Sequence, residues 1–437
     1  MPNTNDNKFF HSVYLNAKLC KGCINCIKRC PTQAIRVQHG IARIIKEFCI
    51  DCGECVRTCP QSAKKTKHDS LSILKNFKYT VALPASSLYA QFNNLTDTNI
   101  ILTALTMIGF DDVYEVTAAS EIVTEETKKY VASHPEKWPI INTSCPTVVR
   151  LIRVRFPNLL NQLLPLQSSA EVAAMCARRV AMKKTGLSAE EIGVVYIAPC
   201  PSKMTSVRAP IGITKSEIDG VLAIKDVYPL LLATMPDAQK NVKNLSHSGA
   251  SGISWAFSGG EAESLQSDSY IAADGIENVI KVLEDLEDDK LVSGVKFIEL
   301  SACPAGCVGG VENIENPFVA RTKLKRLIKE FPVCVEHTED FPSDVDLYLS
   351  KEIEFEPVFQ LGNTMRESME RLNAVEDLMS ELPSFDCGSC GAPTCRALAE
   401  DIVRGTAQPE DCIYRMRDAY KNSQLIQNFK KADSVND

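Results

Sequence analysis

The sequence predicts an α/β protein with mostly parallel sheets and flanking helices, set between two smaller cysteine-rich domains. Its 437 residues are enough for roughly three domains, each able to bury a core. Short apolar runs alternate with amphipathic stretches between about residues 78 and 365, the pattern of strands and helices in α/β layers. Most of the 18 cysteines fall into three groups along the chain. We therefore predict domains at residues 1–70, 78–365 and 366–437.

Composition excludes several classes of protein. With 45% hydrophobic residues, 24% charged residues and a net charge of -7, the chain is typical of a globular protein that binds neither nucleic acid nor an anionic membrane. Apolar runs such as Tyr228 to Met235 are far shorter than the ~18 residues that cross a bilayer. The polar N-terminus lacks the character of a signal peptide. We expect a cytoplasmic protein.

The N-terminal domain contains a cysteine repeat. Four cysteines with spacing CxxCxxCxxxCP occur twice, offset by 29 residues. This is the pattern of bacterial dicluster ferredoxins, small α+β domains in which the fourth cysteine of each run ligates the other 4Fe-4S cube. Cluster one would be held by Cys20, Cys23, Cys26 and Cys59, and cluster two by Cys49, Cys52, Cys55 and Cys30. A zinc ribbon is the alternative, but it would leave four thiols unused.

A basic stretch, Lys64 to His68, follows this repeat. We interpret it as a solvated linker that leaves the domain. A docking patch for an acidic electron-transfer partner is the alternative.

The middle domain supplies the strands and helices of the α/β fold. Predicted strands are Thr80 to Leu83, Val113 to Val116, Pro139 to Ile141, Gly193 to Ile197, Gly220 to Ile224 and Val295 to Leu300. Predicted helices are Glu121 to Ala132, Val148 to Leu164, Ala170 to Lys184 and Ile276 to Leu286.

Three predicted strands are each followed directly by a cysteine, namely Cys145, Cys200 and Cys303. Loops at the carboxyl ends of parallel strands are where ligands gather, so these thiols are expected to converge. Cys307 follows in a glycine-rich turn that would let the backbone approach a bulky cofactor. Four thiols match another 4Fe-4S cube, although each alone could be a buried small hydrophobe.

The remaining Cys176 and Cys334 have no partner motif and are predicted to be core thiols.

The C-terminal domain contains a third group, with spacing CxxC-x4-C-x16-C: Cys387, Cys390, Cys395 and Cys412. Four thiolates fit another iron-sulfur cube, with zinc as the competing metal. A helix from Arg396 to Arg404 should end at Gly405, and a charged helical link is predicted from Asn363 to Ser380. From Tyr420 onward we expect a helix that frays into a polar end.

The middle domain resembles the catalytic domain of iron-iron (FeFe) hydrogenases over roughly residues 78 to 365. Asn142-Thr-Ser-Cys145-Pro is similar to the family's Thr-Ser-Cys-Cys-Pro segment, and Pro199-Cys200-Pro-Ser-Lys203 to its Pro-Cys-x-x-Lys segment. Glu299-Leu-Ser-Ala-Cys303-Pro-Ala-Gly-Cys307-Val-Gly-Gly resembles its Glu-x-Met-Ala-Cys-x-x-Gly-Cys-x-x-Gly-Gly segment. The C-terminal segment is similar to the four-cysteine iron-sulfur domain of Rnf-type electron-transport subunits, which also occurs behind hydrogenase domains thought to be sensory.

The resemblance implies roles for the motif residues. Cys145, Cys200, Cys303 and Cys307 would hold a 4Fe-4S cube, and Cys307 would also bridge to a diiron unit with CO and cyanide ligands. Lys203 would donate a hydrogen bond to a cyanide. Its neighbours Ser202 and Pro199 would also belong to the cofactor pocket. With two ferredoxin cubes and one C-terminal cube, four 4Fe-4S clusters are expected.

Departures from the family pattern concern proton transfer. The family has a second cysteine, which passes protons to the diiron cofactor, where this chain has Ser144. A hydroxyl is far less acidic than a thiol, so transfer through Ser144 should be slower. Other motif positions differ at Ser301, Ser206 and Val311, and Leu163-Leu164-Pro165 occupies the place of the family's Leu-Ser-Ser.

Two functional hypotheses follow. The first is a low-activity FeFe hydrogenase that uses Lys203 and Ser144 in catalysis, interconverts H2 with protons and electrons, and acts as a sensor. Its redox partner would be a ferredoxin or a signalling protein, and a homodimer is left open. The alternative is a non-catalytic electron-transfer or iron-sulfur scaffold protein that lacks the diiron unit.

Overall fold

A computed structural model describes residues 10–335, 337 and 346–421. Their contacts divide the chain into two compact units. Of the described residues, those within Met1–Val13, Ile50–Gly53 and Thr66–Glu356 form the first unit, and those within Tyr14–Cys49, Glu54–Lys65 and Pro357–Asp437 form the second. Residues 413–421 are helical, and the predicted tail beyond them lies outside the described residues. No helix in the described ranges has the length and apolar character needed to cross a membrane.

The described residues form strands and helices that we number in chain order. The strands are β1 (Val13–Leu15), β2 (Ile35–Gln38), β3 (Ile41–Ile44), β4 (Lys64–Thr66), β5 (Tyr79–Pro84), β6 (Asp112–Val113), β7 (Ile140–Ile141), β8 (Ile192–Ala198), β9 (Gly220–Ala223), β10 (Tyr270–Asp274) and β11 (Phe297–Ser301). The helices are α1 (Asn25–Lys28), α2 (Glu54–Arg57), α3 (Thr98–Met107), α4 (Val116–Ser133), α5 (Pro146–Arg155), α6 (Ser169–Thr185), α7 (Pro201–Arg208), α8 (Ile224–Ala238), α9 (Ala250–Ser254), α10 (Gly260–Ser264), α11 (Ile276–Glu287), α12 (Pro317–Leu327), α13 (Met365–Glu381) and α14 (Cys395–Val403).

The first unit contains two parallel sheets, which confirms the predicted α/β class. One has the strand order β6-β5-β8-β9 and the other β10-β11-β7, and every strand pair in both is parallel. All seven residues of β8 are buried, as expected for a parallel strand covered by helices on both faces. Alternate residues of β8 enter two cores: Val194 and Tyr196 pack with helices α4 and α6, and Val195 and Ile197 with α3, α8 and α12.

Three predicted elements of this unit are wrong in extent, and one strand was missed. The helix predicted from Glu121 begins five residues earlier, at Val116. The strand predicted at Val113 to Val116 ends at Val113, because Val116 already begins α4. The helix predicted from Val148 to Leu164 stops at Arg155, because Pro157 lacks an N–H and restricts the backbone of the residue before it. Strand β10 was missed because its only partly buried residues give a weak apolar signal.

The second unit contains the C-terminal cysteine group and the cysteine repeat except Cys52, which lies in the first unit. Strands β2 and β3 form an antiparallel hairpin, and α13 and α14 share a small core that includes Val375 and Leu398. The helix α13 is the predicted charged link, and α14 matches the helix predicted before Gly405. The interpretation of Lys64 as a solvated linker residue is wrong: it lies in β4 and is 2% exposed. Strand alternation turns Lys64 inward and leaves Lys65 half-buried.

Candidate functional site

Three loops of the first unit present the predicted ligands of the middle domain. Cys145 and Cys200 occupy the N-cap positions of α5 and α7, and a proline begins each helix. The positive end of a helix dipole favours a thiolate at such a position. Cys303 and Cys307 lie in one turn after β11, in which Gly306 N–H donates to the Cys303 carbonyl over 3.1 Å.

Electrostatic coupling shows that these loops converge. Burial raises the pKa of Cys200 to about 12, with further increases from the charges of Cys307 and Cys145 and an opposing effect of Lys203. Burial likewise raises the pKa of Cys307 to about 11, and Lys203 again opposes the increase. The structure therefore brings Cys145, Cys200 and Cys307 together around one lysine, and the shared turn supplies Cys303.

Two glycines of the third motif allow close contacts between backbone segments of the protein. A Cβ at Gly309 would collide with the Pro304 carbonyl, and one at Gly310 with the Pro199 carbonyl. Pro199 O also accepts a hydrogen bond from Glu312 N–H over 2.9 Å. These glycines thus allow close backbone contact between the Cys307 turn and the Cys200 loop. The contact fixes the position of one loop relative to the other.

Lys203 directs its ammonium group toward these cysteines. Nζ donates a long hydrogen bond of 3.4 Å to the Ser144 carbonyl and lies 5.8 Å from the centre of the Tyr196 ring. Burial lowers the pKa of Lys203, but the surrounding Tyr196, Cys307 and Cys200 outweigh it and raise the pKa above its ordinary value. An ammonium group has three N–H donors, so Lys203 retains donor capacity for a bound ligand.

Ser144 lies at the same site and is paired with a buried carboxylate. Its hydroxyl donates to Glu261 Oε2 over 2.8 Å, and Asn142 Nδ2 donates to the same oxygen over 2.7 Å. Burial raises the pKa of Glu261, although these hydrogen bonds oppose the increase. The second oxygen, Oε1, is buried without a hydrogen-bond partner among the described residues. A protonated carboxyl beside Ser144 could therefore hold and exchange a proton.

Glu261 was missed in the sequence analysis, and Glu299 was noted only as a motif residue. Glu299 accepts hydrogen bonds from Gly259 N–H and Ala262 N–H, over 2.9 and 2.8 Å. Burial and the charge of Glu261 raise its pKa. The available signal for Glu261 was an acidic residue directly after an apolar and glycine-rich stretch, which suggests a buried charge.

Ser202 and Pro199 contribute to the surroundings of the site. The Ser202 hydroxyl is buried and has no hydrogen-bond partner among the described residues, so its donor is available to a bound cofactor. Beside Lys203 and Tyr196 lies a mostly apolar cavity of about 70 Å³. The site therefore offers four thiols for a metal cluster. Lys203 and Ser202 add N–H and O–H donors that are available to hydrogen-bond acceptors on such a cluster.

The predicted ligands of cluster one also surround a cavity. Cys20, Cys23, Cys26, Cys59 and Lys64 line it together. Burial raises the pKa of Cys26, and the charge of Lys64 opposes this increase. The buried Lys64 Nζ has no hydrogen-bond partner among the described residues. A buried ammonium group requires a countercharge, and a cube held by four thiolates would supply one.

The C-terminal cysteines also come together. Cys395 begins α14, and Cys395 and Cys412 are buried in the core shared by α13 and α14. Burial raises the pKa of Cys390, and the charges of Cys387 and Cys412 add to the increase. The four thiols fit an iron-sulfur cube, and their chemistry alone also fits zinc.

The two remaining cysteines differ from each other. Cys176 is fully buried in the core around α6, which confirms its prediction. Cys334 is exposed, so the prediction of a core thiol there is wrong. It follows Pro332 and Val333 on an irregular segment whose backbone pairs with α9, and such a connection lies at the protein surface.

Three models of known protein families together match most of the chain. The sequence model described as "Iron only hydrogenase large subunit, C-terminal domain" matches residues 78–269 and 238–311, together more than half of the chain. A "4Fe-4S dicluster domain" matches residues 12–60, and a "Putative Fe-S cluster" domain matches residues 382–414. These matches support iron-sulfur cofactors in all three cysteine groups.

Individual relatives are distant. Iron hydrogenase 1 of Clostridium pasteurianum is 23% identical over 53% of this chain and 50% of that protein. The cytosolic Fe-S cluster assembly factor NAR1 of Botryotinia fuckeliana is 29% identical over 31% of this chain and 22% of that protein. A variant of FeFe-hydrogenase HydA1 from Chlamydomonas reinhardtii is 15% identical, with a TM-score of 0.45, over 61% of this chain and 88% of that one. The chain spans half or less of the length of these curated relatives. On the extent of the family match, the chain belongs to the iron-only (FeFe) hydrogenase large-subunit family.

Proposed function

We propose that this protein binds a diiron unit beside the cube held by Cys145, Cys200, Cys303 and Cys307, and that it slowly interconverts H2 with protons and electrons. Electrons would pass along its 4Fe-4S clusters to a ferredoxin or a signalling protein in the cytoplasm. A slow redox protein of this kind is suited to sensing or regulation.

The observation that carries this proposal is the position of Lys203. Its ammonium group lies within electrostatic reach of three of the cysteines, yet its hydrogen bond to Ser144 is long at 3.4 Å. A cube held by four thiolates would supply a countercharge for this ammonium group, and a cyanide ligand would in addition accept a directed hydrogen bond from it. When bound, the diiron unit would supply the metal site at which hydrogen is formed or split. Lys203 would orient that unit, and Ser202 would offer a second donor.

Slow turnover follows from the group next to Cys145. The Ser144 hydroxyl donates its hydrogen bond to Glu261, so a proton route through this position would run between the hydroxyl and a buried carboxyl. A serine hydroxyl is far less acidic than a cysteine thiol, whose ordinary pKa is about 8.5. General acid–base transfer is fastest when the pKa lies near the working pH, and the hydroxyl is far from it.

A second candidate is a non-catalytic iron-sulfur scaffold or electron carrier without the diiron unit. Ser144 favours it, because a protein that does not move protons to a diiron unit has no need of a thiol there. The partial similarity to an Fe-S cluster assembly factor supports the same candidate.

Infrared spectroscopy of the anaerobically matured protein distinguishes the two candidates. We expect absorption bands from metal-bound CO and cyanide in the complete protein, and no such bands in a Cys307→Ala control. Lys203→Met should shift or weaken the cyanide bands because it removes their donor. If the matured protein contains its iron-sulfur cubes but gives no CO or cyanide bands, the hydrogenase proposal is wrong and the scaffold is favoured.

A further inference from the structure

Within the second unit, the C-terminal cysteine domain packs against the residues of the cysteine repeat through a buried ion pair. Arg36 on β2 donates to both carboxylate oxygens of Asp401 on α14, and Nη2 lies 3.1 Å from Oδ1. The two side chains are 7% and 8% exposed. A buried arginine–carboxylate pair with two hydrogen bonds fixes the distance and the orientation between β2 and α14. This interface is therefore specific.

Backbone contacts reinforce the ion pair. Val37 N–H donates to the Gly391 carbonyl over 2.9 Å. Gly391 has a φ of +85°, and a Cβ at this position would collide with the Val37 carbonyl. Lys28 Nζ donates to the Pro393 carbonyl over 2.9 Å and also to the Asp386 carbonyl. Glycine is required here both for its left-handed backbone and for the close approach.

The interface lies next to ligands of cluster two. Phe48 directly precedes Cys49, and its ring centre is 4.7 Å from that of Phe359 and 5.7 Å from the Arg404 guanidinium. Lys28 is two residues before Cys30, and the Asp386 carbonyl that it contacts directly precedes Cys387. The contacts therefore bring the Cys387 loop to helix α1, which contains Cys26 of cluster one and ends two residues before Cys30 of cluster two. They also bring Phe359 and Arg404 to Phe48, the residue before Cys49.

We infer that this interface connects the C-terminal cube to cluster two for direct electron exchange, so that the C-terminal domain is an internal electron relay. In each transfer, one electron leaves the reduced cube, which becomes oxidised, and reduces the other cube, while no proton or group moves. The C-terminal cube in turn exchanges electrons with a one-electron carrier protein. The inference uses the cluster assignments given above and does not depend on the diiron unit.

Electron paramagnetic resonance tests the connection without any measurement of activity. In the fully reduced protein, we expect the signal of the C-terminal cube to be broadened and to relax faster because a second reduced cube lies nearby. A Cys387→Ser variant identifies which signal belongs to the C-terminal cube. If that signal is magnetically isolated in the parent protein while iron analysis accounts for all the cubes, the inference is overturned, whatever infrared spectroscopy gives for the diiron unit.

Two variants link the coupling to the interface. Arg36→Gln breaks the buried pair, and its control is Arg43→Gln, which removes the same charge at the exposed residue opposite Arg36 in the hairpin. Gly391→Ala blocks the close approach, and its control is Gly405→Ala, which has a similar φ of +75° and open space around it. We expect the broadening to be lost in Arg36→Gln and Gly391→Ala and kept in both controls. Unchanged broadening in both interface variants would contradict the inference.

Discussion

At the scale of single residues, the proposed proton route depends on Ser144. Its hydroxyl donates a hydrogen bond to Glu261 Oε2, and Asn142 Nδ2 donates to the same oxygen. The carboxyl is fixed and buried, so it can exchange a proton only through the groups that touch it. A serine in this chain of contacts is a poor proton donor and acceptor near neutral pH.

Ser144→Cys should raise hydrogen turnover by roughly a hundredfold or more, because a positioned acid of suitable pKa contributes about 10²- to 10⁴-fold. Hydrogen evolution from a reduced dye measures the change, in protein verified by infrared spectroscopy to contain the diiron unit. Ser144→Ala is the matched control and should lower turnover, since it removes the contact with Glu261. Equal rates in all three proteins would show that Ser144 does not limit the reaction.

Lys64 is the second residue whose surroundings matter for function. The buried ammonium group lines the cavity of cluster one and has no hydrogen-bond partner among the described residues. A positive charge stabilises the reduced, more negative form of a cube. Replacement by methionine keeps the length of the side chain and removes the charge.

Lys64→Met should lower the reduction potential of cluster one, by on the order of 100 mV, from a charge interaction of a few kcal/mol at an effective dielectric constant of about 20. A redox titration followed by electron paramagnetic resonance measures it. The control is Lys65→Met, since Lys65 lies on the other face of β4 and is more exposed. Equal shifts in the two variants would exclude a specific role for Lys64.

At the scale of elements, the loop Ile50–Gly53 is anchored to the two helices that begin with cysteine ligands. Asp51 accepts hydrogen bonds from Arg150 on α5 and from Thr205 on α7, over 3.2 and 2.8 Å. Gly53, next to the predicted ligand Cys52, packs closely against Val311, four residues after Cys307. A single buried carboxylate thus fixes the helices of Cys145 and Cys200 relative to the Cys52 loop.

Thr205→Val should lower the free energy of unfolding by about 1.5 to 3 kcal/mol, because Asp51 loses a hydrogen bond to its buried charge. Thr127→Val is the control: Thr127 is equally buried on a helix of the same unit, but within the described part of the chain its hydroxyl donates only to the Val123 carbonyl. Anaerobic denaturation measures both variants. A loss in Thr127→Val as large as that in Thr205→Val would show that Asp51 is not responsible.

At the scale of the whole molecule, the metal content follows from the four predicted clusters, each with four cysteine ligands. The complete protein should contain about 16 iron and 16 sulfide per chain if each group holds a 4Fe-4S cube, with about two further iron when the diiron unit is present. Chemical analysis of iron, sulfide and zinc measures this. Iron and sulfide sufficient for only two cubes would contradict the cubes assigned to the first unit and to the C-terminal cysteines. About one zinc per chain in that case would indicate that the C-terminal cysteines bind zinc.

The sequence by itself determined which residues are candidate ligands and what class of fold presents them. Cysteine spacing is a local property, because a short loop must aim several sulfurs at one metal group, and strand-end placement follows from the alternation of apolar runs. For these reasons the motif cysteines, the α/β class and the helix α6 could be predicted. The end of α5 could also have been predicted from Pro157, a signal that was overlooked.

Only the tertiary structure decided which distant groups meet. Glu261 lies 117 residues from Ser144, and Asp401 lies 365 residues from Arg36. Nothing in the local pattern joins such partners, because a buried carboxylate is satisfied by whatever donors the fold brings to it. The burial of Lys64 was missed for the same reason: in sequence it is one of several lysines, and in the fold it is a buried charge that lines a cavity with Cys20, Cys23, Cys26 and Cys59.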